Sequence, residues 1–323
     1  MRVLVTGAAG FVGSHLLHHL RAHDARSEIH GTTLDSAQVL REPDATGHVV
    51  NLLDADAVTE TLRCVSPDHI YHLAASAVVH RSFDDPWATL ENNIRAQLNV
   101  LQACVVLDIA PRILIVTSGE VYGVDQSNDM PTPETAPMRP ANPYAVSKVT
   151  QDMLGLQYFL SAQLPTIRAR PFNHLGPGQA PGFAAPDFAR QIALIEAGQQ
   201  EPVIRCGDLT AERDFTDVRD IVAAYRLLIE RGVPGEAYNV STGKTTSIRD
   251  VLSTLLGMAA VPISIRSATD HIRSSGVARS WGDPTRLRLA TGWQPQVPLQ
   301  QTLSDILNDW RVRVAYQQGE AAR

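Results

Sequence analysis

At 323 residues with 44% hydrophobic content, the chain can bury a large core and suits one to two domains rather than three. A net charge of −6 argues against a nucleic-acid or membrane-surface protein, so an anionic ligand would need local arginines. No apolar run approaches the ~20 residues of a membrane span.

The chain opens on a short apolar strand, residues 2–6, followed by Gly7-Ala8-Ala9-Gly10-Phe11-Val12-Gly13 and a helical pattern over 11–23. Gly7 permits a tight turn. Gly10 lets the backbone approach a pyrophosphate at the helix N-terminus, where free N–H groups and the dipole favour anions. Gly13 lets helix and strand pack closely. Strand, glycines and helix in this order predict a dinucleotide site.

Further strands are expected at 28–33, 47–51, 69–73, 112–117 and 165–170. Helices are expected at 55–65, 86–108 and 143–162. This alternation predicts an α/β fold, a Rossmann-type doubly wound parallel sheet over residues 1–171. The proline-rich stretch 123–142 reads as a loop over the site edge. Residues 172–323 read mainly as a smaller, discontinuous substrate-binding lobe, with some segments returning to the Rossmann domain. Its strands are placed at 203–206 and 237–240, and its helices at 186–198, 218–231, 247–258 and 299–313.

Tyr144 and Lys148 lie four apart on the expected helix 143–162 and share a face. An ammonium there would favour a tyrosinate and draw a phenol of ordinary pKa ~10 toward neutral-pH proton exchange. The pair alone is common. With the glycine turn and Thr117-Ser118 after an apolar strand, it indicates an enzyme that transfers hydride while tyrosine moves the proton.

Cys64, Cys104 and Cys206 lack metal-ligand spacing and fit a reducing, cytoplasmic setting. The N-terminus shows no signal-peptide pattern, because a strand begins at residue 2. His15, His18 and His19 have no Cys or carboxylate at ligand spacing, so no metal is expected.

The glycine motif, Leu73-Ala74-Ala75, Asn93, Thr117-Ser118-Gly119-Glu120-Val121-Tyr122-Gly123 and Tyr144…Lys148 resemble the extended short-chain dehydrogenase/reductases, which act on nucleotide sugars. The resemblance covers nearly the whole chain. Arg170-Pro171-Phe172-Asn173-His174-Leu175-Gly176-Pro177-Gly178-Gln179 and Arg213-Asp214-Phe215-Thr216-Asp217 are similar to the GDP-mannose 4,6-dehydratase branch. Within it, Gly176 to Gln179 and Gly182-Phe183 are most similar to reductases that turn GDP-4-keto-6-deoxy-D-mannose into GDP-D-rhamnose.

The resemblance implies roles. Tyr144 is the general acid at the keto oxygen. Lys148 lowers the phenol pKa and binds the nicotinamide ribose. Ser118, with Thr117 beside it, hydrogen-bonds the same oxygen. Gly7, Gly10, Phe11, Val12, Gly13, Thr33, Asn51, Leu52, Leu73, Ala74, Ala75, Asn93 and Thr117 join Tyr144 and Lys148 around the cofactor. Ser118, Glu120, Asn173, Arg213 and Arg273 contact substrate, the arginines at its diphosphate. Near Arg273 this chain has Ser274-Ser275-Gly276-Val277 where the family pattern carries a glutamate. The helices 86–108 and 143–162 pair with their mates as a four-helix homodimer interface.

Thr33 stands where a NAD-selecting acid would sit, which favours NADP(H) while leaving NAD(H) open. Gly119 bears on the reaction, because sugar-nucleotide 4,6-dehydratases need an acid there for the leaving hydroxyl. Glu120 reads either as a base or as a structural carboxylate. The expected activity is NAD(P)H-dependent reduction of a nucleotide-linked 4-keto-6-deoxy sugar. The alternatives are a dehydratase or epimerase with tightly held NAD(P), and a non-catalytic dinucleotide sensor.

Overall fold

The computed structural model describes residues 1–77, 79–125, 131–267 and 278–321. The first half alternates β1 (Arg2–Thr6), α1 (Phe11–His23), β2 (Glu28–Thr33), β3 (Thr46–Val49), α2 (Ala55–Val65) and β4 (His69–His72). It continues with α3 (Arg81–Asp84), α4 (Pro86–Val106), β5 (Arg112–Val116), a 3-10 turn (Gly119–Asp125), α5 (Pro143–Ala162) and β6 (Thr166–Pro171). The later elements are β7 (Asn173–Leu175), α6 (Ala184–Glu196), β8 (Val203–Cys206), β9 (Glu212–Arg213), β10 (Phe215–Asp217), α7 (Val218–Arg231) and β11 (Ala237–Val240). Last come β12 (Thr246–Ser247), α8 (Ile248–Leu256), β13 (Ser264–Ser267), β14 (Arg279–Ser280), α9 (Thr285–Thr291) and α10 (Leu299–Ala321).

Seven parallel strands form the main sheet in the order β11-β6-β5-β4-β1-β2-β3. The strand expected in the smaller lobe at 237–240 is β11, and it pairs with β6 at the sheet edge. β7, β9, β10, β12 and β14, of two or three residues, and the single-turn α3 escaped the sequence reading because elements this short carry no resolvable period. One apolar cluster packs α1 and α7 on one sheet face, through residues such as Leu16, Leu17, Tyr225 and Leu228. Another packs α2, α4 and α5 on the opposite face, through Val58, Leu62, Val100 and Leu101. A separate core joins α6, α8 and α10 through Phe188, Ile192, Leu255 and Trp310.

Local chemistry fixes the helix starts nearest the site. Asp85 accepts the Ala88 N–H and Pro86 opens α4; Asn142 accepts the Ala145 N–H at 2.7 Å and Pro143 opens α5. Asp152 ties α5 to the sheet. It is fully buried and accepts from Arg168 Nη1 at 2.6 Å and from Arg170 Nε at 2.7 Å. Removing it leaves two buried guanidinium groups without their carboxylate, so Asp152→Ala should destabilise the fold by about 3–5 kcal/mol. Urea denaturation measures this; a loss under ~1 kcal/mol would mean that backbone carbonyls suffice.

Candidate active site

A cavity of about 900 Å³ runs along the carboxyl edge of the main sheet. One end is the glycine turn. Gly7 has φ +67°, and a Cβ there would lie 3.0 Å from the Ala74 backbone. A Cβ at Gly13 would stand 2.3 Å from the Gly7 carbonyl oxygen, so only glycine lets α1 approach β1 this closely. Gly10 caps α1 without a side-chain hydrogen bond, which leaves the first helical N–H groups pointing at the cavity mouth. These residues fit a dinucleotide pyrophosphate.

Thr33, Leu34 and Gln38 line the far end, beyond the first turn. Thr32 Oγ1 accepts the Gly7 N–H at 3.4 Å. Asp35 spends one carboxylate oxygen on the N–H groups of Ala37 and Gln38, at 2.9 and 3.2 Å, and does not line the cavity. Arg41 turns toward Gly178 and His15 instead. Asn51, Leu52, Leu73, Ala74 and Ala75 line the adjoining wall, as do Phe11 and Val12.

Ser118, Glu120, Tyr144 and Lys148 converge midway along the cavity. Tyr144 hydrogen-bonds Ser118, and Ser118 Oγ accepts the Glu120 N–H at 3.1 Å. Asn142 Nδ2 donates to Glu120 at 3.2 Å, which fastens that carboxylate to the same helix start that carries Tyr144. Burial raises the Tyr144 phenol above its ordinary pKa; the Ser118 hydrogen bond opposes this and the Glu120 charge adds to it. The depressed phenol expected from the sequence is therefore not what the fold produces. Lys148 Nζ lies 5.8 Å from the ring centroid and donates to the Val116 carbonyl at 3.0 Å. Burial lowers its pKa to about 7. A protonated phenol is the form needed to give a proton to a keto oxygen.

Two expected contacts lie off the cavity wall, and a third turns its hydroxyl onto the sheet. Asn93 is fully buried behind the wall, where its amide donates to Ser147 Oγ at 2.9 Å and accepts the Ser76 N–H at 2.7 Å. Its neighbours Asn92 and Ala96 line the cavity instead. Thr117 lines the wall, but its hydroxyl donates to the Ala169 carbonyl at 3.0 Å and so braces β5 on β6. Arg213 is not among the lining residues; its guanidinium donates to the Glu212 carbonyl at 2.7 Å and feels the Glu120 charge. Arg273 lies outside the described residues.

Asn173 lines the substrate end beside His174 and Gln179, two residues of the same motif that had no role in the sequence reading. His174 stacks on Phe11 at 6.3 Å and pairs its Nδ1 with the Phe172 carbonyl at 3.1 Å. Arg81 and Phe183 also face the cavity. Arg81 sits on the four-residue α3, and no pattern in the sequence marks it. Among the described residues no group of His, Cys, Asp and Glu could hold a metal, and no helix is long and apolar enough to cross a membrane.

A glycine turn under a parallel sheet, with Ser118, Tyr144 and Lys148 gathered at its carboxyl edge, defines an extended short-chain dehydrogenase/reductase. A family model described as GDP-mannose 4,6 dehydratase matches residues 4–306, and the chain belongs to that family. It is 36% identical over 313 residues to GDP-6-deoxy-D-mannose reductase of Pseudomonas aeruginosa, covering 97% of this chain and 98% of that relative. It is 32% identical over 322 residues to UDP-glucose 4-epimerase of Mycolicibacterium smegmatis, covering 96% and 99%. The solved structure of RMD from Pseudomonas aeruginosa complexed with NADPH is similar with a TM-score of 0.85 at 35% identity, covering 96% of this chain and 100% of that one.

The lowered Lys148 pKa has a thermodynamic sign. Between pH 7 and 10.5 the unfolded chain holds the Lys148 proton and the folded chain does not, so stability from this group rises with pH across that window. Lys148→Met should therefore be more stable than the parent at pH 6, on the order of a few kcal/mol, with the gap closing toward pH 10. Thermal melts across this range check it; a gap independent of pH would refute the assignment.

Proposed function

We propose that this protein reduces the 4-keto group of a nucleotide-linked 4-keto-6-deoxy sugar. The substrate that fits best is GDP-4-keto-6-deoxy-D-mannose, giving GDP-D-rhamnose. The observation that carries this reading is Gly119 between Ser118 and Glu120 at the cavity wall. Two donors, Ser118 and Tyr144, meet where a keto oxygen would sit, and the position between Ser118 and Glu120 offers no acid for a leaving hydroxyl. The GDP-6-deoxy-D-mannose reductase of Pseudomonas aeruginosa, similar along its whole length, supports the same class of substrate.

The glycine-turn end would hold a reduced nicotinamide dinucleotide, which would supply the hydride. The buried Tyr144 phenol gives its proton to the keto oxygen, and the Ser118 hydroxyl stabilises the charge that develops there. Lys148, with a pKa lowered to about 7, exchanges protons near neutrality and would hold the nicotinamide ribose. We assign the cofactor as NADP(H). Thr33 and Gln38 line the adenosine end and Asp35 does not, so among the described residues no carboxylate lines that end against a 2′-phosphate. NAD(H) fits the same end, since neither Thr33 nor Gln38 excludes an unphosphorylated ribose. Asn173 and Arg213 are assigned to substrate, Arg213 at its diphosphate on the family pattern. Arg273 is assigned to the diphosphate on the family pattern alone.

Glu120 favours a second reading. Its carboxylate lines the cavity beside Ser118 and could serve as a base in a dehydratase or epimerase that keeps NAD(P) bound. Purified protein with GDP-4-keto-6-deoxy-D-mannose and NADPH tests the first reading, and GDP-mannose without added cofactor tests the second. Nicotinamide absorbance should fall with the keto sugar, and Tyr144→Phe should lower kcat by about 10²–10⁴ while cofactor binding persists. Keto-sugar formation from GDP-mannose would establish the dehydratase.

We also assign a homodimer through α4 and α5, in a cytoplasmic setting that suits three unpaired thiols. Val105, Val106, Val146, Met153 and Leu160 on these two helices are exposed. Val106→Glu with Met153→Glu should shift sedimentation from dimer to monomer; an unchanged dimer would place the interface elsewhere.

A further inference from the structure

Phe172 is held from both sides by glycines distant in sequence. A Cβ at Gly119 would lie 3.0 Å from each of three atoms of the Phe172 ring. A Cβ at Gly282 would lie 2.3 Å from Cε2 and 2.8 Å from Cδ2 and Cζ on the opposite edge. Neither glycine has a positive φ, so backbone conformation does not demand glycine at either place. The demand comes from the ring.

The ring has little room to retreat. Phe172 donates its N–H to the Val240 carbonyl at 3.0 Å, and its own carbonyl pairs with His174. The ring stacks on Tyr122 at 6.2 Å, and the Tyr122 hydroxyl donates to Asn239 at 2.7 Å. On the far side the Gly282 carbonyl accepts from Ser241 Oγ at 2.9 Å. Phe172, Ser118, Gly119 and Ser280 all line the cavity. The wedge therefore joins the catalytic strand end to the returning segment 279–283.

We propose that Phe172, wedged between Gly119 and Gly282, is a positioning and specificity-determining residue: any side chain at position 119 must push against its ring, and the ring fixes the backbone that presents Ser118 and Glu120. The consequence for reaction type rests on the reductase reading. A site with the two keto-oxygen donors and no space for an acid beside Ser118 supports hydride transfer and not elimination of a hydroxyl. Position 119 is tightly packed against the ring, so a single substitution there cannot restore an acid without displacing it.

Four proteins test the wedge: the parent, Gly119→Ser, Phe172→Leu and the double variant. Turnover with NADPH and GDP-4-keto-6-deoxy-D-mannose, NADPH binding by fluorescence and thermal melting are read for each. Gly119→Ser should lower kcat by about tenfold or more with NADPH affinity within about twofold, because overpacking moves Ser118 and spares the glycine turn. It should also lower the melting temperature. The double variant, with the ring edge removed, should recover kcat to within about threefold of Phe172→Leu and melt above Gly119→Ser. The proposal is overturned if Gly119→Ser matches the parent in kcat and melting temperature, or if the two substitutions act additively. Should the parent oxidise no NADPH, the reductase reading fails on its own. The melting cycle needs no substrate and still decides the wedge.

Discussion

Asp152 is the carboxylate on which the site's geometry depends. Its two oxygens receive Arg168 and Arg170 from β6, and Thr117 from the end of β5 approaches it at 3.4 Å. Asp152 stands one helical turn beyond Lys148 on α5. The ion cluster thus sets how α5 lies against the sheet, and with it where Tyr144 and Lys148 point. The excess positive charge is spread over acceptors: Arg168 donates to the Gly235 carbonyl, and Arg170 donates to the Glu134 carbonyl and the Tyr122 hydroxyl. Such a cluster is costly to desolvate, and its value here lies in fixed geometry rather than net stability.

The same desolvation that makes the cluster rigid tunes the chemistry beside it. Tyr144 and Lys148 are pushed in opposite senses by burial, the phenol up and the ammonium down. Each is driven toward its neutral form, and a neutral phenol is the proton donor that reduction requires. Asn142 and Ser118 complete the arrangement by tying Glu120 to the start of α5 and to the strand end.

The later half of the chain does more than cover the cavity. α7 and β11 are integral to the main sheet layer, while α6, α8 and α10 enclose a core of their own. Buried Asp214 accepts the N–H groups of Thr242 and Gly243, at 2.8 and 2.9 Å, which pins the turn after β11. Trp293 donates to the Asp220 carbonyl at 2.9 Å and locks the closing segment onto α7. Through Gly282 this half also reaches Phe172 and hence Ser118.

The residue pattern alone determined the glycine turn, the alternation of the first six main-sheet strands with helices, and the Tyr144–Lys148 pair, because each is written in local spacing: period, glycine placement and i, i+4 geometry. Asn173 and the Leu73–Ala75 wall came instead from the resemblance to the extended short-chain dehydrogenase/reductases, which also fixed the role of Ser118. The tertiary structure decided what depends on partners far along the chain. Asn93 was drawn behind the wall by Ser147, 54 residues away. Arg213 was turned onto backbone carbonyls, and residues 237–240 were taken into the main sheet by pairing with β6. Arg81 reached the cavity from a helix too short to show a period. The direction of the Tyr144 shift belongs to this class as well. Spacing records that a lysine is near, but burial sets the balance between attraction and desolvation, and burial exists only once the chain has closed around the pair.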